Sequence, residues 1–145
     1  MAFLQILKDK SQLDGTAYFE LLPGKYKEKC WNEGSLFLDE ETFGFFETIV
    51  ESCVPEYDHY AFIEVLATRW QPVIARLKRL ATELESAVTA QDIPVDIDFY
   101  FNDTKQNFKN DLAVNLQRLR QVSIELVGWL AATLKQHEEV SILGL

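Results

Sequence analysis

The chain has 145 residues, 48% of them hydrophobic, and sets 14 Lys and Arg against 23 Asp and Glu for a formal charge of −9. That length fits one domain burying ~70% of the surface its unfolded chain would expose, and the negative sign opposes binding to nucleic acid or an anionic membrane. There is no apolar run long enough to span a bilayer, and the opening Met-Ala-Phe-Leu-Gln-Ile-Leu-Lys-Asp-Lys lacks the basic start of a signal peptide, so the expected location is the cytoplasm.

Three short β candidates come first: Phe3–Leu7, Ala17–Leu22 and Ser35–Leu38, with turn signals at Pro23-Gly24 and Glu33-Gly34. A helix is predicted over Glu40–Cys53. Asp39 is placed to cap it, and Glu40 and Glu41 suit the positive end of its dipole. On that helix Phe43, Phe46, Ile49, Val50 and Cys53 share one face, Glu40, Glu47 and Glu51 line its edge, and Phe45 falls outside the apolar arc.

A long helix is predicted over Asp58–Val88 from the recurrence of Phe62, Val65, Leu66, Val73, Ile74, Leu77, Leu80, Leu84 and Val88, with a kink near Trp70 and Gln71 where Pro72 removes a donor. Pro94–Phe101 alternates strictly: Val95, Ile97, Phe99 and Phe101 lie on one face, and Asp96, Asp98 and Tyr100 on the other, which reads as a half-buried strand. From Thr104 to Glu138 the stripe of Phe108, Leu112, Leu116, Leu119, Val122, Leu126, Leu130 and Leu134 predicts a second long helix, about 50 Å if unbroken. Together these imply a mainly α (α+β) fold. Two long antiparallel amphipathic helices would be joined by shorter ones, with a small sheet or hairpin on the N-terminal side.

Charge is unevenly placed. Residues 1–60 hold 12 acids and five bases, a net of −7; from Cys30 to Thr68 there is no Lys or Arg, but nine carboxylates and eight of the 18 aromatic residues. Such a mixture reads as a folded acidic surface rather than a solvated tail. On one reading its aromatics are all core and its acids only solubilising. On the other it is an interface of acidic rim and aromatic anchors, formed by Glu40, Phe45, Glu47, Glu51, Glu56, Tyr57, Asp58, Tyr60 and Glu64. The complete lack of compensating bases favours the second.

Other constellations are weaker. Asp92, Asp96 and Asp98 form a secondary acidic cluster without the central Gly and terminal Glu of a calcium loop, and read as a solvated face. No metal site and no cofactor are expected. Cys30 and Cys53 match no zinc or redox spacing and read as free thiols. His59 and His137 read as surface or capping residues. There is no glycine-rich phosphate loop, and the Arg76–Arg79 group reads as a solvated helical face.

The run Gly34-Ser35-Leu36-Phe37-Leu38-Asp39-Glu40-Glu41-Thr42-Phe43, strand-like and leading into an acidic helix within a small acidic chain, resembles in style the immunity proteins of bacterial polymorphic toxin systems, including contact-dependent growth inhibition. The resemblance implies a non-enzymatic protein, a monomer or weak dimer, that binds a cognate toxin domain, often a basic nuclease, and covers its substrate cleft with acidic side chains. The alternative is an acidic secretion chaperone or adaptor that holds an effector segment and dimerises through the stripes of its long helices. An enzyme comes third and would need a buried His–Cys or His–carboxylate pair in a pocket.

Overall fold

A computed structural model, which describes residues 4–145, places four extended segments in one antiparallel sheet. These are β1 (Tyr18–Pro23), β2 (Leu36–Asp39), β3 (Phe62–Leu66) and β4 (Glu139–Leu143), in the spatial order β2-β1-β4-β3. The register aligns Leu36, Leu21, Ile142 and Ile63 in one row across the sheet, with Val65 opposite Val140 on the same face. Phe37, Glu20, Leu143 and Phe62 form a row on the other face.

Helices cover the first face. They are α1 (Glu40–Gly44), α2 (Glu47–Cys53), α3 (Ala67–Glu83), α4 (Asn102–Asn110) and α5 (Leu112–Thr133). Val73, Ile74, Leu77 and Leu80 of α3 and Leu116, Leu119, Val122, Leu126 and Leu130 of α5 join the sheet residues in one core. The opposite face carries a smaller cluster of Leu7, Tyr18 and Phe37, flanked by Leu13 and Trp31.

The structure corrects the mainly α expectation with two long helices and a small N-terminal sheet: this is an α+β fold built on a four-stranded sheet drawn from both ends of the chain. The predicted helix over 58–88 begins only at Ala67 and ends at Glu83; its first part is β3. Phe62-Ile63-Glu64-Val65-Leu66 fits either period, and Ile63 and Val65 pair with β4 while their side chains face the core. Pro72 lies inside α3 without ending it, so the discontinuity precedes Ala67 rather than falling at Trp70 and Gln71.

The helix predicted over 104–138 is interrupted at Asp111, whose φ of −139° and ψ of 59° leave the helical region. Asn115 makes the interruption tolerable: it is buried, and its Nδ2 donates to the carbonyls of Asn107 at 3.3 Å and Phe108 at 3.1 Å, which end α4 without helical partners. Residues 139–143, beyond the end of α5, form the strand β4. The predicted strand at 94–101 is not a strand. Asp96 turns to Arg76 and Arg79, both at 3.3 Å, and Phe99 packs against Phe45 and Phe108.

Ala17–Leu22 and Ser35–Leu38 do become β1 and β2, each shifted by one residue. Of Phe3–Leu7, Phe3 lies outside the described residues, and Leu7 contributes a single bridge to Phe37. The helix expected over 40–53 is two short ones separated by Phe45 and Phe46, and Asp39 caps the first, accepting from Thr42 N at 2.8 Å. Among the described residues no helix is long and apolar enough to cross a membrane.

Candidate functional site

Because the sheet is antiparallel, the start of β1, the end of β2, the start of β3 and the end of β4 meet at one end of it. The turn 57–61 crosses that end. Gly144 N donates to Ala61 O at 3.0 Å and Leu145 N to His59 O at 3.1 Å. A Cβ on Gly144 would overlap the His59 carbonyl and approach that of Ala61 at 2.9 Å, so the turn lies this close only over glycine.

The turn delivers His59 between two carboxylates from the helices on the other side. Its Nε2 lies 2.7 Å from Glu40 Oε2 and its Nδ1 lies 2.5 Å from Glu47 Oε2. Tyr57 OH donates to the same Glu47 oxygen at 2.5 Å. The imidazole stacks on Tyr100, with centroids 4.4 Å apart and rings nearly parallel at 5°, and meets Phe19 and Tyr60 edge-on. Tyr60 and Tyr100 hydroxyls are 3.1 Å apart, closing the outer side. The loop carrying Tyr100 fits because residue 44 is Gly: a Cβ there would come within 2.9 Å of Tyr100 Cβ.

Electrostatics follow from this enclosure. Burial alone would lower the His59 pKa, but its hydrogen bonds to Glu40 and Glu47 and their charges outweigh burial and raise it above the ordinary 6.5. Each ring nitrogen faces a carboxylate oxygen, so the protonated ring donates from both. Burial, with the hydrogen bond to Glu47 second, holds the Tyr57 hydroxyl above the usual phenol range. The hydrogen bond to Tyr60, with some burial, pushes Tyr100 up to about 12.

Beside this knot lies a cleft of about 350 Å³ lined by Asp14, Ala17, Tyr18, Asp39, Glu40, Glu41 and Phe101. Among the described residues no Lys or Arg lines it. Burial raises the carboxyl of Asp39 against the hydrogen bonds from Thr42 that lower it. Burial first, then the charge of Asp39, raises that of Glu41. Phe101 and Tyr100, in edge contact at 4.7 Å, and Tyr60 form the exposed aromatic margin.

The sequence-predicted interface residues divide accordingly. Glu40 and Glu47 meet at His59, and Tyr57 joins them. Glu51 is exposed. Glu56 is paired with Arg69 at 2.9 Å, Asp58 is exposed and accepts from Tyr60 N, and Glu64 is exposed and accepts from Tyr26 N at 3.0 Å. Tyr60 stands 68% exposed. Two placements correct the sequence reading. Phe45 is fully buried between Phe99 and Phe108 rather than presented as an anchor, and Glu47 is buried as the shared acceptor of His59 and Tyr57 rather than exposed on a helix edge.

The secondary acidic residues do not converge. Asp92 accepts from Val88 N, Thr89 N and the Thr89 hydroxyl in its own turn, Asp96 pairs with two arginines, and Asp98 accepts from Phe99 N. Among the described residues no group of His, Cys, Asp and Glu is arranged to hold a metal. Cys30 and Cys53 are free thiols; burial, then the charge of Glu20, raises the Cys30 thiol.

His59 is the residue that the linear reading undervalued. The usable signal was its position: it is the only side chain between Lys29 and Arg69 able to carry positive charge, amid nine carboxylates. Comparison with protein families, with curated proteins and with solved structures finds no match for this chain.

Proposed function

We propose that the protein is a non-enzymatic bacterial immunity protein acting in the cytoplasm, which binds and neutralises a cognate toxin domain, a basic nuclease, through the sheet end built around His59. The observation that carries this reading is the cleft. Asp14, Asp39, Glu40 and Glu41 surround a space of about 350 Å³ beside Phe101, with no Lys or Arg among its lining residues. A partner's arginine or lysine entering it would relieve Asp39, disfavoured as an anion by burial, and Glu41, disfavoured by burial and by the charge of Asp39, and would rest on the aromatic ring. The exposed rings of Tyr60, Tyr100 and Phe101 supply apolar area beside that charge, the combination found at interface centres.

The His59 knot gives this surface rigidity rather than chemistry, because both ring nitrogens are engaged. The chaperone reading relied on a dimer seam along the long helices, and the apolar stripes of α3 and α5 are instead buried in one core.

On this reading a neighbouring gene encodes a secreted protein with a toxin domain, and the test is co-expression with that domain. Growth should be restored by the protein, and the Glu41→Lys variant should associate with the toxin about tenfold more slowly at low salt, with a flatter salt dependence. Lack of rescue together with lack of a complex overturns the reading. Unchanged kinetics for the variant would move the contact away from the cleft.

A further inference from the structure

The two edges of the sheet are treated differently. At the β2 edge, Leu7 and Phe37 exchange both backbone hydrogen bonds, at 2.9 and 2.7 Å, so the N-terminal segment covers part of it. Among the described residues no backbone pairs with the β3 edge; Tyr26 reaches only its side chains, its N–H donating to Glu64 at 3.0 Å and its ring meeting Phe62 edge-on at 5.1 Å. Gly144 N bonds Ala61 O and Ala67 N bonds Glu138 O, and antiparallel pairing alternates from there. Ile63 and Val65 therefore exchange bonds with β4, while the N–H groups of Phe62, Glu64 and Leu66 point outward. Among the described residues none of those three donors is hydrogen-bonded.

Proteins ordinarily blunt such an edge with lysine, proline, a bulge or a covering loop. β3 contains no lysine and no proline, and its register with β4 runs unbroken over Phe62–Leu66. Its outward row presents Phe62 and Leu66, 43% and 54% exposed, on either side of Glu64. The edge begins beside Tyr60, so it continues the exposed aromatic margin of the acidic cleft.

We propose that the outer edge of β3 accepts an extended segment of a basic protein partner as a fifth strand, with a lysine or arginine opposite Glu64 and apolar side chains beside Phe62 and Leu66. The inference rests on the reading that the partner is a basic protein, and adds where and how it docks. Charge selects this occupant. Among the described residues Glu64 makes no ion pair and accepts only the N–H of Tyr26, and the strand lies in a stretch with no Lys or Arg from residue 30 to residue 68. A second copy is disfavoured: the antiparallel register that uses all three outward donors sets Glu64 against Glu64, whereas a cation there is favourable.

The probe is the end-capped pentapeptide Val-Thr-Lys-Thr-Val, which sets lysine opposite Glu64 and valines opposite Phe62 and Leu66, compared with Val-Thr-Glu-Thr-Val, with amide hydrogen exchange followed residue by residue. The lysine peptide should slow exchange at Phe62, Glu64 and Leu66 about tenfold and leave Ile63 and Val65, already paired, unchanged. Glu64→Lys should transfer the preference to the glutamate peptide. Leu66→Pro should abolish protection while the protein stays folded, because Leu66 already has φ −68° and its N–H faces outward. Equal protection by both peptides, protection confined to the cleft, or no protection overturns the proposal. Rescue from the toxin without edge protection would sink this inference and leave the immunity reading standing; edge protection without rescue would do the reverse.

Discussion

Two carboxylate sites at opposite faces of the sheet solve burial in different ways. Glu20 on β1 is almost wholly buried and, among the described residues, meets no cation. Its oxygens accept from Trp31 N at 2.6 Å, Asn32 N at 3.0 Å, Asn32 Nδ2 at 2.9 Å and Ser35 Oγ at 2.6 Å. Neutral dipoles thus tie down the loop between β1 and β2, including Trp31 in a left-handed conformation at φ 63°. Glu40 and Glu47 instead meet a titrating cation, His59. The first arrangement rests on neutral donors alone. The second holds only while the ring keeps its proton.

The largest effect should come from breaking the dipolar site. Glu20→Ala leaves several buried donors without an acceptor, and should lower unfolding free energy by roughly 3–5 kcal/mol in urea titrations. His59→Ala removes the cation and leaves two carboxylates facing each other, with an expected cost of about 3 kcal/mol near pH 6.

The pH dependence sharpens the contrast. His59 has a folded pKa above its unfolded value of 6.5, so its contribution is complete below 6.5 and is lost as pH rises through the folded value. The urea midpoint of the native protein should fall as pH rises above 6.5 and through the folded pKa. In His59→Gln that fall should shrink; an unchanged slope would assign it to other groups.

Smaller changes probe the surroundings. Gly44→Ala pushes on the Tyr100 loop without touching either carboxylate, and should cost about 1–2 kcal/mol by thermal or urea unfolding. Its expected signature is a changed Tyr100 environment in aromatic NMR shifts. The exposed pair of Glu56 and Arg69 is the control. Arg69→Ala should change stability by about 0.5 kcal/mol or less, because solvent screens that pair.

Legibility in the sequence followed the range of the interactions. The Asp39 cap, the first two strands and the apolar faces of α3 and α5 depend on residues a few positions apart, and their spacing shows them. β3 depends on β4, more than 70 residues later in the chain, and without that partner Phe62–Leu66 reads equally well as helix. At 94–101 the alternation was real, but the segment pairs with no edge of the sheet; Arg76, Arg79, Phe45 and Phe108 claim its side chains instead. The candidate site shows the same division. The shared edge of Glu40 and Glu47 was visible, whereas the turn that brings His59 onto it was not. Phe45 was misplaced because the helix breaks at Phe45 and Phe46, which rotates that ring out of the arc expected of a continuous helix.

The position of β4 has a consequence for synthesis. It lies between β1 and β3, and those two strands have no other link across the sheet. While the ribosome is still adding residues before Glu139, β1 and β2 can form a hairpin, but β3 has nothing to zip onto. Sheet closure must therefore wait for translation to pass Leu143. Until then Val65 and Ile63, which the finished fold buries wholly and in part, are exposed on the nascent chain, and that interval is when a chaperone or an aggregating neighbour would meet them.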